Sequence, residues 1–163
     1  MRSWIVLLLI LLFHIPSAVY ADGLFVEVGT GLGYSRSSEP VFLRYYRDTA
    51  SVFGLSSFYD FSVATWSGPN TNHAIGIGRG VLWGWTGEFY SSFEAGGAYL
   101  WKTTENLGTR LQFAFRFAFG LKTEKFDISA GYNHISNGEE IFKWSNGPNT
   151  GENFVTIQIG RLF

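Results

Sequence analysis

The stretch LQFAFRFAFGLK, residues 111–122, restricts the folds open to this chain more than any other. Leu111, Phe113, Phe115, Phe117, Phe119 and Leu121 fall on one face of an extended strand. Gln112, Ala114, Arg116, Ala118 and Gly120 fall on the other. Successive side chains of a strand point to opposite sides, so a period of two this strict marks β structure. In a water-soluble sandwich the aromatic face would be interior and the other would carry Lys, Glu and Thr toward solvent. Here the second face is small, with a single charge. Such a face suits a cramped interior in which isolated charges pair. The rings must then meet something apolar that is not protein.

The same alternation recurs along the chain. From Leu24 to Tyr34, Leu24, Val26, Val28 and Leu32 alternate with Glu27, Gly29, Gly31 and Gly33. Val41 to Arg47 is a weaker candidate, with Phe42 and Tyr46 on one face around Arg44. Phe58 to Trp66 sets Tyr59, Phe61 and Val63 against Asp60, Ser62 and Ala64, and His73 to Leu82 sets Ile75 and Ile77 against Gly76 and Gly78. Glu88 to Trp101 places Phe89, Phe93, Ala95 and Tyr99 opposite Ser92, Glu94, Gly96 and Ala98. Phe126, Ile128, Ala130 and Tyr132 oppose Asp127, Ser129, Gly131 and Asn133, and Val155, Ile157, Ile159 and Phe163 alternate with Thr156, Gln158 and Gly160. Strands of this length match a tilted bilayer crossing, and closure would satisfy every edge group in lipid. The expectation is an all-β fold, an eight-stranded antiparallel transmembrane β-barrel with rings outward and a polar lumen.

The termini fit export to an outer membrane. Arg2, the apolar run Ile5 to Phe13 and the small-residue site Val19-Tyr20-Ala21 read as a signal peptide over residues 1–21, leaving a barrel domain over 22–163. The last residue is Phe163, with apolar residues at alternate positions before it, which is similar to the assembly signal of bacterial outer-membrane barrels. Tyr34, Trp66, Trp83 and Trp101, near strand ends, are expected in interfacial girdles. The chain holds no cysteine, so no disulfide replaces a core or a closed sheet. A net charge of −1 gives no basic footprint for nucleic acid. Two histidines after residue 21 and no cysteine exclude a metal constellation. The glycines of GTGLG and GIGRG lack the strand-to-helix context of a phosphate loop and read as barrel glycines. Glu94, Arg116, Asp60 and Asp127 are expected to form a charge network in the lumen, and His73 to be a solvated or girdle residue.

One segment breaks the outward apolar rule. GYNHISNGEE, residues 131–140, continues the outer face of its strand into His134 and Ser136. Spacing leaves two readings open: solvated residues where the strand has left the membrane, or a hydroxyl beside an imidazole. Asn137 follows and could supply a side-chain N–H, and Gly138 would let the backbone turn and present amides. The third partner would come from the next strand, whose outward set Phe163, Arg161, Ile159, Ile157 and Val155 reaches Asn153.

An eight-stranded barrel with H-x-S-N closing its penultimate strand resembles the lipid A 3-O-deacylase family, the PagL type. HISN (134–137), FYDFSVATWSG, SSFEAGGAYLW and NTGENFVTIQIGRLF carry the resemblance in order along the chain. It implies Ser136 as nucleophile, His134 as general base, Asn137 with nearby backbone amides of Gly138 and Glu139 as oxyanion donors, and Asn149 as a further polar residue near the site. Two departures stand out. The family often reads H-x-S-N-A-G, whereas HISNGE puts glycine one place early and Glu139 where glycine belongs. The family's orienting glutamate falls on Asn153 when aligned from the C-terminus, with Glu152 beside it. Parity favours Asn153 and chemistry favours Glu152, so both remain candidates. A bulge could turn Glu152 outward.

The resemblance implies an outer-membrane serine esterase that removes the 3-O-linked acyl chain of lipid A in lipopolysaccharide, with no cofactor. Its partners would be that substrate and outer-membrane lipids; a homodimer is left open. Lys143 or Arg161 could meet substrate phosphates. The rivals are a noncatalytic small barrel serving adhesion, integrity or a pore, and a phospholipase or acyltransferase on a similar barrel.

Overall fold

The computed structural model describes residues 22–138 and 149–163, so the signal-peptide reading of 1–21 and the candidates Glu139 and Lys143 lie outside the described residues. Eight strands form among them: β1 Gly23–Gly31, β2 Glu39–Val52, β3 Leu55–Ser67, β4 Asn72–Gly84, β5 Phe89–Leu100, β6 Leu111–Lys122, β7 Phe126–Ser136 and β8 Glu152–Leu162. Each pairs antiparallel with its sequence neighbour, and β1 pairs with β8, closing the barrel. One short 3₁₀ turn, Gly33–Ser35, interrupts the connection after β1, which therefore ends before Leu32. β2 is longer than its weak alternation suggested, because its partner β3 extends the ladder to Val52 opposite Leu55.

The outer wall is apolar along every strand. Val26, Leu43, Val63, Ile75, Phe93, Phe119, Ile128 and Ile157 are all exposed, a surface no water-soluble fold of this size would present. The lumen is filled in three layers. At its middle, Glu27, Arg44, Asp60, Glu94 and Arg116 form a buried ion network. Arg44 Nε meets Glu27 Oε2 at 2.6 Å and its Nη1 meets Asp60 Oδ2 at 2.5 Å. Arg116 reaches Glu27 Oε1 and Glu94 Oε1, each at 3.0 Å. Asn133 and Thr156 donate further hydrogen bonds to Glu27. Asp127 stands apart from this network and accepts from the Tyr90 hydroxyl at 2.7 Å.

Apolar layers cap the network at both ends. Phe25, Tyr46, Phe58, Leu82, Tyr90 and Leu162 pack at the end where β1 starts and β8 finishes. Phe42, Trp66, Leu100, Leu107, Ile135 and Phe154 pack at the other. Trp66 is thus no girdle residue: it shares the lumen parity of Asp60 and Ala64, is 0 % exposed, and packs on Phe154 with ring centroids 5.7 Å apart. Phe42 and Tyr46 likewise face inward beside Arg44. Tyr34 and Trp101 are exposed at the barrel end.

The connections distinguish the two ends. Residues 53–54, 85–88 and 123–125 join strands at the end where β1 starts, whereas 32–38, 68–71, 101–110 and 137–151 join them at the other. Outer-membrane barrels keep short turns in the periplasm and longer loops outside, which orients the longer-loop end toward the outer leaflet. His134 and Ser136 sit at that end.

Candidate active site

The site forms where β7 ends and β8 begins. Register sets His134 directly opposite Asn153, and Ile135 opposite Glu152. Because the period is two, this pairing puts His134 and Asn153 on the outer face and Glu152 in the lumen. His134 Nδ1 lies 2.8 Å from Asn153 Oδ1. An amide oxygen only accepts, so in this contact Nδ1 is the donor, and in a neutral imidazole that tautomer has its lone pair on Nε2.

Glu152 points the other way. It is fully buried, and its Oε1 accepts from Asn106 Nδ2 at 3.0 Å. No bulge turns it outward: the β7–β8 register runs unbroken from Phe126–Arg161 to Ile135–Glu152.

Ser136 follows on the outer parity of β7, opposite Phe113, and is 8 % exposed. No hydrogen bond joins its hydroxyl to His134 among the described residues. The structure therefore brings His134 and Asn153 into contact and leaves Ser136 adjacent. The Asn137 amide donates to Asn149 Oδ1 at 2.9 Å, so these two polar residues do meet. Gly138 adopts φ +70°, the left-handed turn that glycine accommodates without strain.

Four residues that the sequence did not single out hold this corner. The Tyr132 hydroxyl donates to Asn153 Oδ1, the same oxygen that faces the imidazole. Ser35 Oγ accepts the Asn153 N–H at 2.8 Å, and the Asn153 carbonyl accepts from Leu32 N at 2.8 Å, so the β1–β2 connection anchors the backbone of residue 153. Buried Asn106 gathers the loops: it donates to Glu152, its side-chain oxygen accepts from Thr150 Oγ1 at 2.8 Å, and its carbonyl accepts from Gly151 N at 3.3 Å. Gly151 packs against the imidazole, where an added Cβ would lie 2.8 Å from His134 Cε1. Parity from His134 would have found Tyr132, two residues back on one face. Asn106, Ser35 and Gly151 come from distant loops and leave no local signal.

Arg161 does not belong to this corner. It is exposed on the outer wall at the opposite end, paired with Phe126 and Leu24, about 27 Å along β8 from Asn153 at the usual ~3.4 Å rise. Arg36, Lys102 and Arg110 are exposed on the connections at the site's own end. Among the described residues no cluster of His, Cys, Asp and Glu could hold a metal ion.

Comparisons with known proteins agree with this architecture. The profile of the family described as lipid A 3-O-deacylase (PagL) matches residues 41–161, from early β2 to the end of β8. The crystal structure of the outer membrane enzyme PagL superposes with a TM-score of 0.73 at 20 % identity, covering 86 % of this chain and 99 % of that one. A de novo designed transmembrane β-barrel superposes with a TM-score of 0.62 at 13 % identity, covering 90 % and 98 %. A search of curated protein sequences finds no match. A shared barrel fold does not by itself assign an activity. The family match includes the strands that hold His134, Ser136 and Asn153, and so the chain belongs to the lipid A 3-O-deacylase family, as a carboxylic-ester hydrolase of the outer membrane.

Proposed function

We propose that this barrel removes the 3-O-linked acyl chain of lipid A at an external site in which Ser136 is the nucleophile, His134 the base and Asn153 the residue that orients the imidazole. The observation that carries the reading is the 2.8 Å contact from His134 Nδ1 to Asn153 Oδ1, made on the lipid-facing wall at the rim. With Nδ1 donating to Asn153, the neutral imidazole has Nε2 as the atom that would accept the Ser136 proton.

An amphiphile confined to the outer leaflet reaches this wall laterally. Its acyl chains lie along exposed rings such as Phe117 and Tyr132, and its sugar-phosphate stays at the rim near Arg36, Lys102 and Arg110. Rotation of the Ser136 side chain brings its hydroxyl to Nε2, which takes the proton as Oγ attacks the ester carbonyl. The Asn137 side chain and the Gly138 amide stabilise the tetrahedral oxyanion, with Asn149 fixing the Asn137 backbone. Collapse expels the sugar hydroxyl, which takes the proton back from the imidazolium. Water, activated by the same imidazole, then releases the fatty acid.

Mass spectrometry of lipid A from cells that express the chain tests this reading. Loss of one hydroxyacyl chain is expected. Ser136→Ala should lower that loss at least ~10³-fold while the barrel still inserts. An unchanged lipid A profile with the native chain inserted would refute the deacylase reading, and gain of an acyl chain would indicate transfer instead.

A further inference from the structure

Among the groups around the site, the Tyr132 hydroxyl has no task in the chemistry above. It lies two residues before His134 on the same outer face of β7 and donates to Asn153 Oδ1. That oxygen also faces His134 Nδ1 at 2.8 Å, so two donors converge on one acceptor.

The convergence matters because residue 153 is an amide. A carboxylate has two equivalent accepting ends, whereas an amide has one accepting and one donating end. Half a turn of the Asn153 amide would aim its NH₂ at Nδ1. The imidazole would then carry its proton on Nε2 and could not accept one from serine. The Tyr132 hydroxyl weights the balance against that state. Facing a flipped amide it could only accept, and its own proton would point along a wall where the residue is 42 % exposed to lipid. A hydroxyl proton without an acceptor in apolar surroundings is costly.

We propose that Tyr132 is a positioning residue that holds the Asn153 amide with its oxygen toward His134, keeping Nε2 free as the base. The proposal rests on the Ser136–His134 reading of the site. It predicts that the hydroxyl is needed only while residue 153 has unlike ends.

The test is a double-mutant cycle on the full chain, refolded in detergent micelles, with fatty-acid release from lipid A as readout. Rates are taken per folded barrel, from the gel mobility of unheated samples. Tyr132→Phe should lower kcat about tenfold with KM within about twofold. In the Asn153→Asp background the same substitution should change kcat by less than about twofold, because either carboxylate oxygen can accept. Equal losses in the two backgrounds, or a loss confined to KM, would overturn the proposal. So would an inactive Asn153→Asp, since residue 153 would then not act as an acceptor. Ser136→Ala serves as reference: its inactivity keeps the site reading intact whichever way the tyrosine falls, and its retained activity would sink both.

Discussion

Gly151 shows how little room the imidazole has. An added methyl there would sit 2.8 Å from His134 Cε1 and 3.2 Å from the Ile135 carbonyl, at a backbone φ of +73°. Gly151→Ala should therefore push the ring off Asn153 and reduce kcat roughly tenfold or more, at a folding cost of about 1–3 kcal/mol. Enzyme kinetics beside urea unfolding would separate the two effects; full activity would mean that the imidazole position is not critical. Glu152 and Asn153 give the opposite pair of expectations. Glu152→Gln should leave kcat within about threefold, because the carboxylate faces the lumen and an amide can still accept from Asn106. A much larger loss would place the lumen carboxylate in the chemistry. The sequence left these neighbours unresolved: parity pointed to Asn153 and charge to Glu152. Geometry separates them because one register step reverses the face.

Among the elements, the strands were legible wherever one face was apolar and the other small, as on β6. Legibility failed where both faces carry rings. On β2 and β3, Phe42, Tyr46, Phe58 and Trp66 face inward while Leu43, Tyr59 and Phe61 face outward. Alternation shows that such a strand has two faces without saying which is wet. The loops that hold the site were illegible for another reason: Asn106, Ser35 and Thr150 meet only after closure, across sequence separations no local pattern spans. Asn106 should be the most sensitive of them, since it bonds to Thr150, Gly151 and Glu152 together. Asn106→Ala is expected to lower kcat several-fold and raise amide exchange in residues 149–153, read by hydrogen-exchange mass spectrometry. Unchanged exchange would show that the β8 entry is held otherwise.

For the molecule as a whole, closure explains both the stability and the placement of the chemistry. The lumen is occupied by paired charges between two apolar layers, so the interior works as a core and the outer wall faces the substrate's leaflet. Arg44→Met would take from Asp60 its close cation partner and leave Glu27 with Arg116 alone. Removing one partner of a buried pair costs about 3–5 kcal/mol, which should appear as a lower urea midpoint of the refolded barrel. An unchanged midpoint would contradict that role. The central claim is that a nucleophile stands on the lipid side of this wall. A long-chain alkyl phosphonate ester confined to vesicle membranes tests it most directly, with the modified residue found by peptide mass spectrometry. The adduct should lie on Ser136 and disappear in His134→Ala. An adduct on a lumen-facing serine such as Ser129, or none on a folded barrel, would contradict the account.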